Sequence, residues 1–314
     1  MHVDNFLGNI FVSCDRGCNF RLSIERIYMQ DFVHLHVHTQ YSLLDGQASV
    51  SRLVDKAMKD GMKGIAVTDH GNMFGIKEFT NYVNKKNSGP KGEIKDLKKR
   101  IAGIESGEIE CEDKEAEIAD CRAKMAEAES KLFKPIVGCE MYVARRTMDK
   151  KEGKPDQSGY HLIVLAKNEK GYHNLIKLVS HAWTRGYYMR PRTDRSELEK
   201  YHEGLIVCSA CIGGEVPKKI INDQLEEAEE AVRWYKNLFG DDYYLELQRH
   251  KATVPRANHE AYPLQQKANA KLLELARKYD IKVICSNDVH FVDEENAEAH
   301  DRLICLSTGK DLDD

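Results

Sequence analysis

The chain has 314 residues, near the upper limit of one large domain and long enough for two small ones. Hydrophobic residues make up 41% and charged residues 31%, which fits a soluble globular protein with a real core. A formal net charge of −4 argues against a simple basic clamp on nucleic acid, but not against a site where metal ions supply the positive charge.

The opening stretch, MHVDNFLGNIFVSC, has an Asp and no Lys or Arg ahead of its apolar part. It makes a poor signal peptide or lipoprotein leader, so residues 1–29 are set apart as an appendage without assigned function. Cys14 and Cys18 form a lone CxxxC with no second pair and are not read as a zinc site. The nine cysteines are odd in number and lack a disulfide-scaffold spacing. Several sit in apolar runs, Cys208 and Cys285 among them, which suits thiols in a reducing cytoplasm. No apolar run is long enough to span a membrane, so no membrane partner is expected.

From Phe32 the sequence reads FVHLHVHTQYSLLDG. Val33, Leu35 and Val37 alternate with His34, His36 and His38, a strand signal that predicts all three imidazoles on one face. At ~3.3 Å per residue, neighbouring rings stand roughly 6.6 Å apart and can converge on one metal or on two adjacent ones. Asp45-Gly46 marks the following turn. A helix is predicted from Ser49 to Lys59, ended by Gly61. GIAVTDHGN is an apolar strand running into Asp69-His70, and a second helix spans about Ile76 to Lys85. Between 87 and 133 Lys, Glu and Asp dominate. Ile94, Leu97, Ile101 and Ile104 recur at helical steps, as do Ile118, Cys121, Met125, Ala128 and Leu132. The segment reads as an inserted helical hairpin.

The main pattern resumes with the strands PIVGCEMYVA and YHLIVLAKN, a helix around Tyr172 to His181, and an Arg-rich polar connector. LIVCSACIGGEV, a helix from Glu226 to Leu238, the strand YYLELQ, a helix from Pro263 to Tyr279 and the strand IKVICSNDVHF complete it. Seven strand candidates, mostly separated by helices, predict an α/β fold with a largely parallel sheet. An open doubly wound sheet and a closed barrel both fit. The polar residues favour the barrel: His38 with Asp45, His70, Glu140, Cys211, and Asp288 with His290 lie at or just past the C-terminal end of a strand. His161 breaks the rule, because it opens its strand.

Imidazole, carboxylate and one thiol, spread over six segments, suit Zn²⁺, Mn²⁺ or Fe²⁺ better than Mg²⁺ or Ca²⁺. Clustered ions with bridging carboxylates suit phosphoester hydrolysis. Glu140 after a buried-looking strand is costly unless paired or ligating. Cys211 alone reads as a small buried residue. His173, His181, His202, His250, His259 and His300 fall in helices or connectors and carry no predicted role.

HLHVHTQYSLLDG, AVTDHGNMFG, VGCEMYV, YHLIVLAKNEKGYHNLIKL, GLIVCSACIGGEVP and SNDVHFVDEENAEAHDRLICLSTGK resemble the polymerase-and-histidinol-phosphatase (PHP) domain. More narrowly, they resemble the N-terminal region of bacterial replicative DNA polymerase III alpha subunits. The resemblance runs from about residue 30 to 314, apart from the 87–133 insertion. It implies a distorted seven-stranded β/α barrel with a site for three divalent metal ions. The implied ligands are His36, His38, Asp45, His70, Glu140, His161, Cys211, Asp288 and His290, with none lost. His36, His38 and Asp288 are the expected catalytic residues. The implied partners are a DNA 3′ end and, through a parent protein, replicase subunits including a proofreading exonuclease and a sliding clamp. The stretch ends at Asp314 with no palm-like PDxDxDF, so it is expected to hydrolyse phosphodiesters as a 3′–5′ exonuclease rather than to polymerise. Two alternatives share the ligands: a non-catalytic module that stabilises the polymerase and docks a separate exonuclease, and a small-molecule phosphatase of the histidinol-phosphatase type.

Overall fold

A computed structural model of the protein describes residues 32–251 and 261–312. The expected appendage at 1–29, with Cys14 and Cys18, and His259 lie outside the described residues. No helix among the described residues is long and apolar enough to cross a membrane.

The strands are β1 (Gly64–Val67), β2 (Lys134–Ala144), β3 (Gly159–Ala166), β4 (Arg192–Thr193), β5 (Leu205–Cys208), β6 (Tyr243–Leu247) and β7 (Lys282–Cys285). They pair in the order β1-β2-β3-β5-β6-β7, with β4 branching from β2. The expectation of a largely parallel sheet needs a correction at β3, which runs antiparallel to both β2 and β5. Its connection from β2, residues 145–158, holds a 3-10 turn (Lys154–Asp156) but no crossover helix, and an antiparallel pair needs no crossover.

The histidine segment needs a second correction. It is extended but forms no regular strand; its one bridge joins Val37 to Val289. The segment nonetheless closes the sheet into a barrel. On one side Ala66 N donates to His34 O and Thr68 N to Val37 O; on the other His38 N donates to Val289 O and Val289 N to His36 O. Val37 N is taken by the Thr68 hydroxyl at 2.8 Å, which interrupts the backbone ladder. Among the described residues there are therefore seven strands, the number expected, but β4, from the stretch read as a polar connector, takes the place of the histidine segment.

The barrel interior is apolar at one end, with Val33, Leu35, Ile136, Ile163, Ile206 and Ile284 packed together. Each strand alternates: Ile163 and Leu165 of β3 point inward, while Leu162 and Val164 join the outer core. That outer core packs the sheet against helices α5 (Glu169–Thr184), α6 (Arg195–Tyr201), α7 (Glu215–Ile221), α8 (Leu225–Phe239) and α9 (Ala261–Tyr279). On the other flank α1 (Val50–Lys59) and α2 (Ile76–Lys86) bury Leu53, Val54, Phe79 and Val83 against Val37 and Val67. The 87–133 segment forms two helices, α3 (Ser88–Ser106) and α4 (Lys114–Ser130), packed on each other. The last helix, α10, covers Ala297–Thr308.

Candidate metal centre

Moving along the inward faces toward the mouth, the apolar layer gives way to polar side chains. On β2 the inward series passes from Ile136 through Gly138 to Glu140; on β6 it passes from Tyr244 to Glu246. Gly138 is needed there, since a Cβ would meet Leu165 Cδ2 at 2.6 Å and Thr68 Cγ2 at 2.9 Å. Antiparallel β3 brings its first residues to the same mouth: His161 pairs with Tyr142 and its amide donates to Gly213 O. A strand that opens at the mouth supplies its ligand candidate from its start, which is why His161 escaped the strand-end rule. Asp288 adopts a left-handed backbone, φ 50°, at the rim beyond β7. Asp is among the few residues that tolerate this region.

All nine expected side chains meet at this mouth. His36 Nε2 lies 3.0 Å from Asp288 Oδ1 and 3.3 Å from Glu140 Oε1. His38 Nε2 lies 3.3 Å from the same Asp288 oxygen. Glu140 also meets His70 Nδ1 through Oε2 and His161 Nδ1 through Oε1, the latter at 2.8 Å. Cys211 Sγ is 3.5 Å from His161 Nδ1. Asp45 Oδ2 lies 2.6 Å from His70 Nε2 and 3.4 Å from His290 Nε2.

Outer residues aim this set. His36 Nδ1 donates to Glu246 Oε1, which also accepts from Gln248 Nε2 and the Ser286 hydroxyl. His38 Nδ1 meets Ser42 Oγ at 2.9 Å, and Ser42 in turn donates to buried Asp69 at 2.8 Å. Asp69 also accepts from the Thr39 amide and hydroxyl, so it fixes the loop that carries His38.

The charges are strongly coupled. Burial disfavours charge on His36, yet Asp288 and Glu246 hold its pKa well above the usual histidine value. Against the same burial, Glu140 and Asp45 raise His70 to about 10. Burial lowers His38 to about 3 and pushes the Cys211 thiol well up. Burial works against ionised Glu140 and Asp288 too, but His161 with His70, and His36, respectively, hold them well below the carboxylate range.

The donor set fits divalent metal ions. His36 Nε2, His38 Nε2, His70 Nδ1, Glu140 Oε2 and Asp288 Oδ1 are buried and approach one another without hydrogen-bond geometry. Each such atom costs roughly 1–3 kcal/mol if left unsatisfied. Among the described residues three overlapping groups bring their donor atoms within 4.8 Å of one another: His36, His38 and Asp288; His38, His70 and His290; His70, Glu140 and His161. Imidazole and carboxylate together suit zinc, manganese or iron.

Two features of the histidine reading change. His34 does not share the ligand face: the chain bends at His36, and His34 lies in a separate cleft beside Leu53, Lys56 and Asp60. His300, given no role, reaches the mouth from α10, with Nε2 3.7 Å from Asp45 Oδ1. Glu246 was also missed. Its signal was present, because in YYLELQ it shares the inward face with Tyr244, and a buried carboxylate needs a partner there as much as at Glu140.

The PHP domain matches this chain over residues 34–250. The DNA polymerase III subunit alpha of Borreliella burgdorferi is 39% identical over 279 residues, 88% of this chain and 20% of that protein. The subunits of Treponema pallidum and Aquifex aeolicus are 37% and 36% identical over 90% of this chain and 20% of their own length. The chain thus spans about a fifth of the length of these curated relatives. With the family matched over most of the described residues, the chain belongs to the PHP domain family.

Proposed function

We propose that this chain is a metal-dependent phosphoesterase that removes nucleotides from DNA 3′ ends, as a proofreading 3′–5′ exonuclease. The observation that carries the reading is the set of three overlapping donor groups at one barrel mouth. In this reading residues 30–314 form one PHP unit with the 87–133 hairpin inserted. His36, His38, Asp45, His70, Glu140, His161, Cys211, Asp288 and His290 hold three divalent ions, zinc, manganese or iron. His36, His38 and Asp288 are the residues essential for cleavage. Bound divalent ions supply charge neutralisation at the phosphoester and acidify the attacking water. The protein's own part is to fix the donors. Glu246 holds the Nδ1 side of His36, Ser42 holds the Nδ1 side of His38, and both leave Nε2 toward the mouth.

The similarity to DNA polymerase III alpha subunits supports DNA as the substrate. A cytoplasmic place in a replicase, beside a sliding clamp and a separate proofreading subunit, belongs to the same proposal. Metal analysis of the purified chain, combined with degradation of a 3′-labelled strand, tests it. Bound metal at two or more ions per chain with release of the 3′ label is the expected result. A metal-free chain that leaves the label intact rejects it.

A further inference from the structure

The donor cluster opens into a cavity of about 710 Å³, far larger than a phosphate group requires. One wall of this cavity is aromatic. Trp183 and Tyr187, from α5 and the turn after it, stack with ring centres 5.6 Å apart and planes at 20°. Phe74, from the loop before α2, lies 5.7 Å from Trp183. These are large apolar side chains left in solvent: Phe74 is 57% exposed, Trp183 40% and Tyr187 48%. Among the described residues no hydrophobic core includes them, and they share one cavity with Glu140, His161 and Asp288.

The platform is tied to the donor cluster. Trp183 Nε1 donates to Gly71 O at 2.8 Å, and Gly71 directly follows His70. Gly71 has φ +63°, and a Cβ there would meet Pro191 Cγ at 2.5 Å, so the approach is close and fixed. Among the described residues lining the cavity, Arg190 is the one Lys or Arg. Its guanidinium lies 6.0 Å over the Tyr142 ring, which itself stacks on His70.

We propose that Phe74, Trp183 and Tyr187 form a stacking platform for the unpaired bases at a single-stranded nucleic-acid 3′ end, with Arg190 on the backbone phosphate. Exposed aromatic faces bind bases without regard to sequence, and a neighbouring cation follows the phosphates. A proofreading site meets frayed ends of any sequence, so sequence-tolerant stacking is the recognition it requires. The inference rests on the phosphodiesterase reading and adds the substrate class: strands whose terminal base is unstacked, rather than duplex ends or small phosphate esters.

The chain has two tryptophans, so Trp234→Phe in the full chain leaves Trp183 as the single reporter. Titrate this protein, in Mn²⁺, with a short oligothymidylate and with the same strand ending in a base-free tetrahydrofuran residue. Saturable quenching of Trp183 is expected, roughly tenfold to a hundredfold tighter for the strand with its terminal base. In parallel, compare kcat/KM on the two strands. Trp183→Leu is expected to collapse the preference for the base-bearing end by about tenfold or more, and Trp183→Phe to retain it. An unchanged preference in Trp183→Leu, or no quenching by either strand, overturns the platform; the latter outcome makes the patch a contact for another protein. If neither strand is cleaved, the phosphodiesterase reading fails, and the quenching titration alone decides the platform.

Discussion

Glu246 and His36 are joined across the barrel mouth: His36 Nδ1 donates to Glu246 Oε1 at 2.8 Å, which leaves His36 Nε2 facing Glu140 and Asp288. A carboxylate on the far nitrogen of a ligating imidazole fixes its orientation and raises its basicity. Glu246→Gln retains the shape and an acceptor for Ser286, but removes the charge. Divalent-metal affinity is therefore expected to fall by about tenfold to a hundredfold. Calorimetric titration with Zn²⁺ or Mn²⁺ reads this directly, and equal affinities would count against Glu246 as the group that positions His36.

The hairpin is pinned at its base by one side chain. Asn87 Nδ2 donates to Phe133 O at 2.7 Å, and Phe133 N donates to Asn87 Oδ1 at 3.0 Å. Both residues are buried, and Phe133 packs in the core beneath α1 and α2. Asn87→Ala leaves a buried amide and carbonyl unpaired and is expected to cost about 2 kcal/mol in urea unfolding. By contrast, replacing residues 88–132 with a short Gly-Ser linker, with Asn87 and Phe133 kept, should leave metal content unchanged. Loss of metal in that deletion would make the hairpin part of the site.

Glu197 clamps α5 to α6. Its carboxylate meets His181 Nδ1 at 2.6 Å, Lys200 Nζ at 3.1 Å and Arg185 at 3.4 Å. Burial would raise its pKa, but the hydrogen bonds from His181 and Lys200 bring it below the usual 4.5. A depressed folded-state pKa gives stability that is present above the unfolded value and lost as pH falls through the folded one. Glu197→Gln is thus expected to cost about 2 kcal/mol at neutral pH. The gap to wild type should close when unfolding is repeated well below pH 4.5. A gap that stays constant across that range would show that the contribution is not ionic.

The parts of the architecture legible in the sequence were those carried by local pattern. Short Val- and Ile-rich runs gave the long strands, because a strand buried on both faces needs apolar side chains throughout. Heptad-like spacing gave α3 and α4. Strand direction was not legible: nothing local in GYHLIVLA says that it runs opposite to its neighbours, and His161 looked misplaced until the β2-β3 pairing was known. His34 misled for a different reason. Period-two alternation assumes an unbroken strand, and the bend at His36 sends His34 outward. His300 could not be found by strand logic at all, since α10 delivers it from outside the sheet. Glu246 was within reach of the burial argument already applied to Glu140.

Asp288 offers the most direct test of the central claim, that this mouth is a metal-dependent phosphodiesterase site. Its Oδ1 lies against both His36 and His38, joining the first and last segments of the barrel. Asp288→Asn keeps the side-chain shape and removes the charge that draws cations to both imidazoles. The measurement is the rate of 3′-label release from single-stranded DNA by wild type and Asp288→Asn, each with Mn²⁺ or Zn²⁺ and at matched fold stability. The account predicts release by wild type and a loss on the order of 10³-fold in the variant, about 4 kcal/mol of transition-state stabilisation. Equal rates in the two proteins would contradict it.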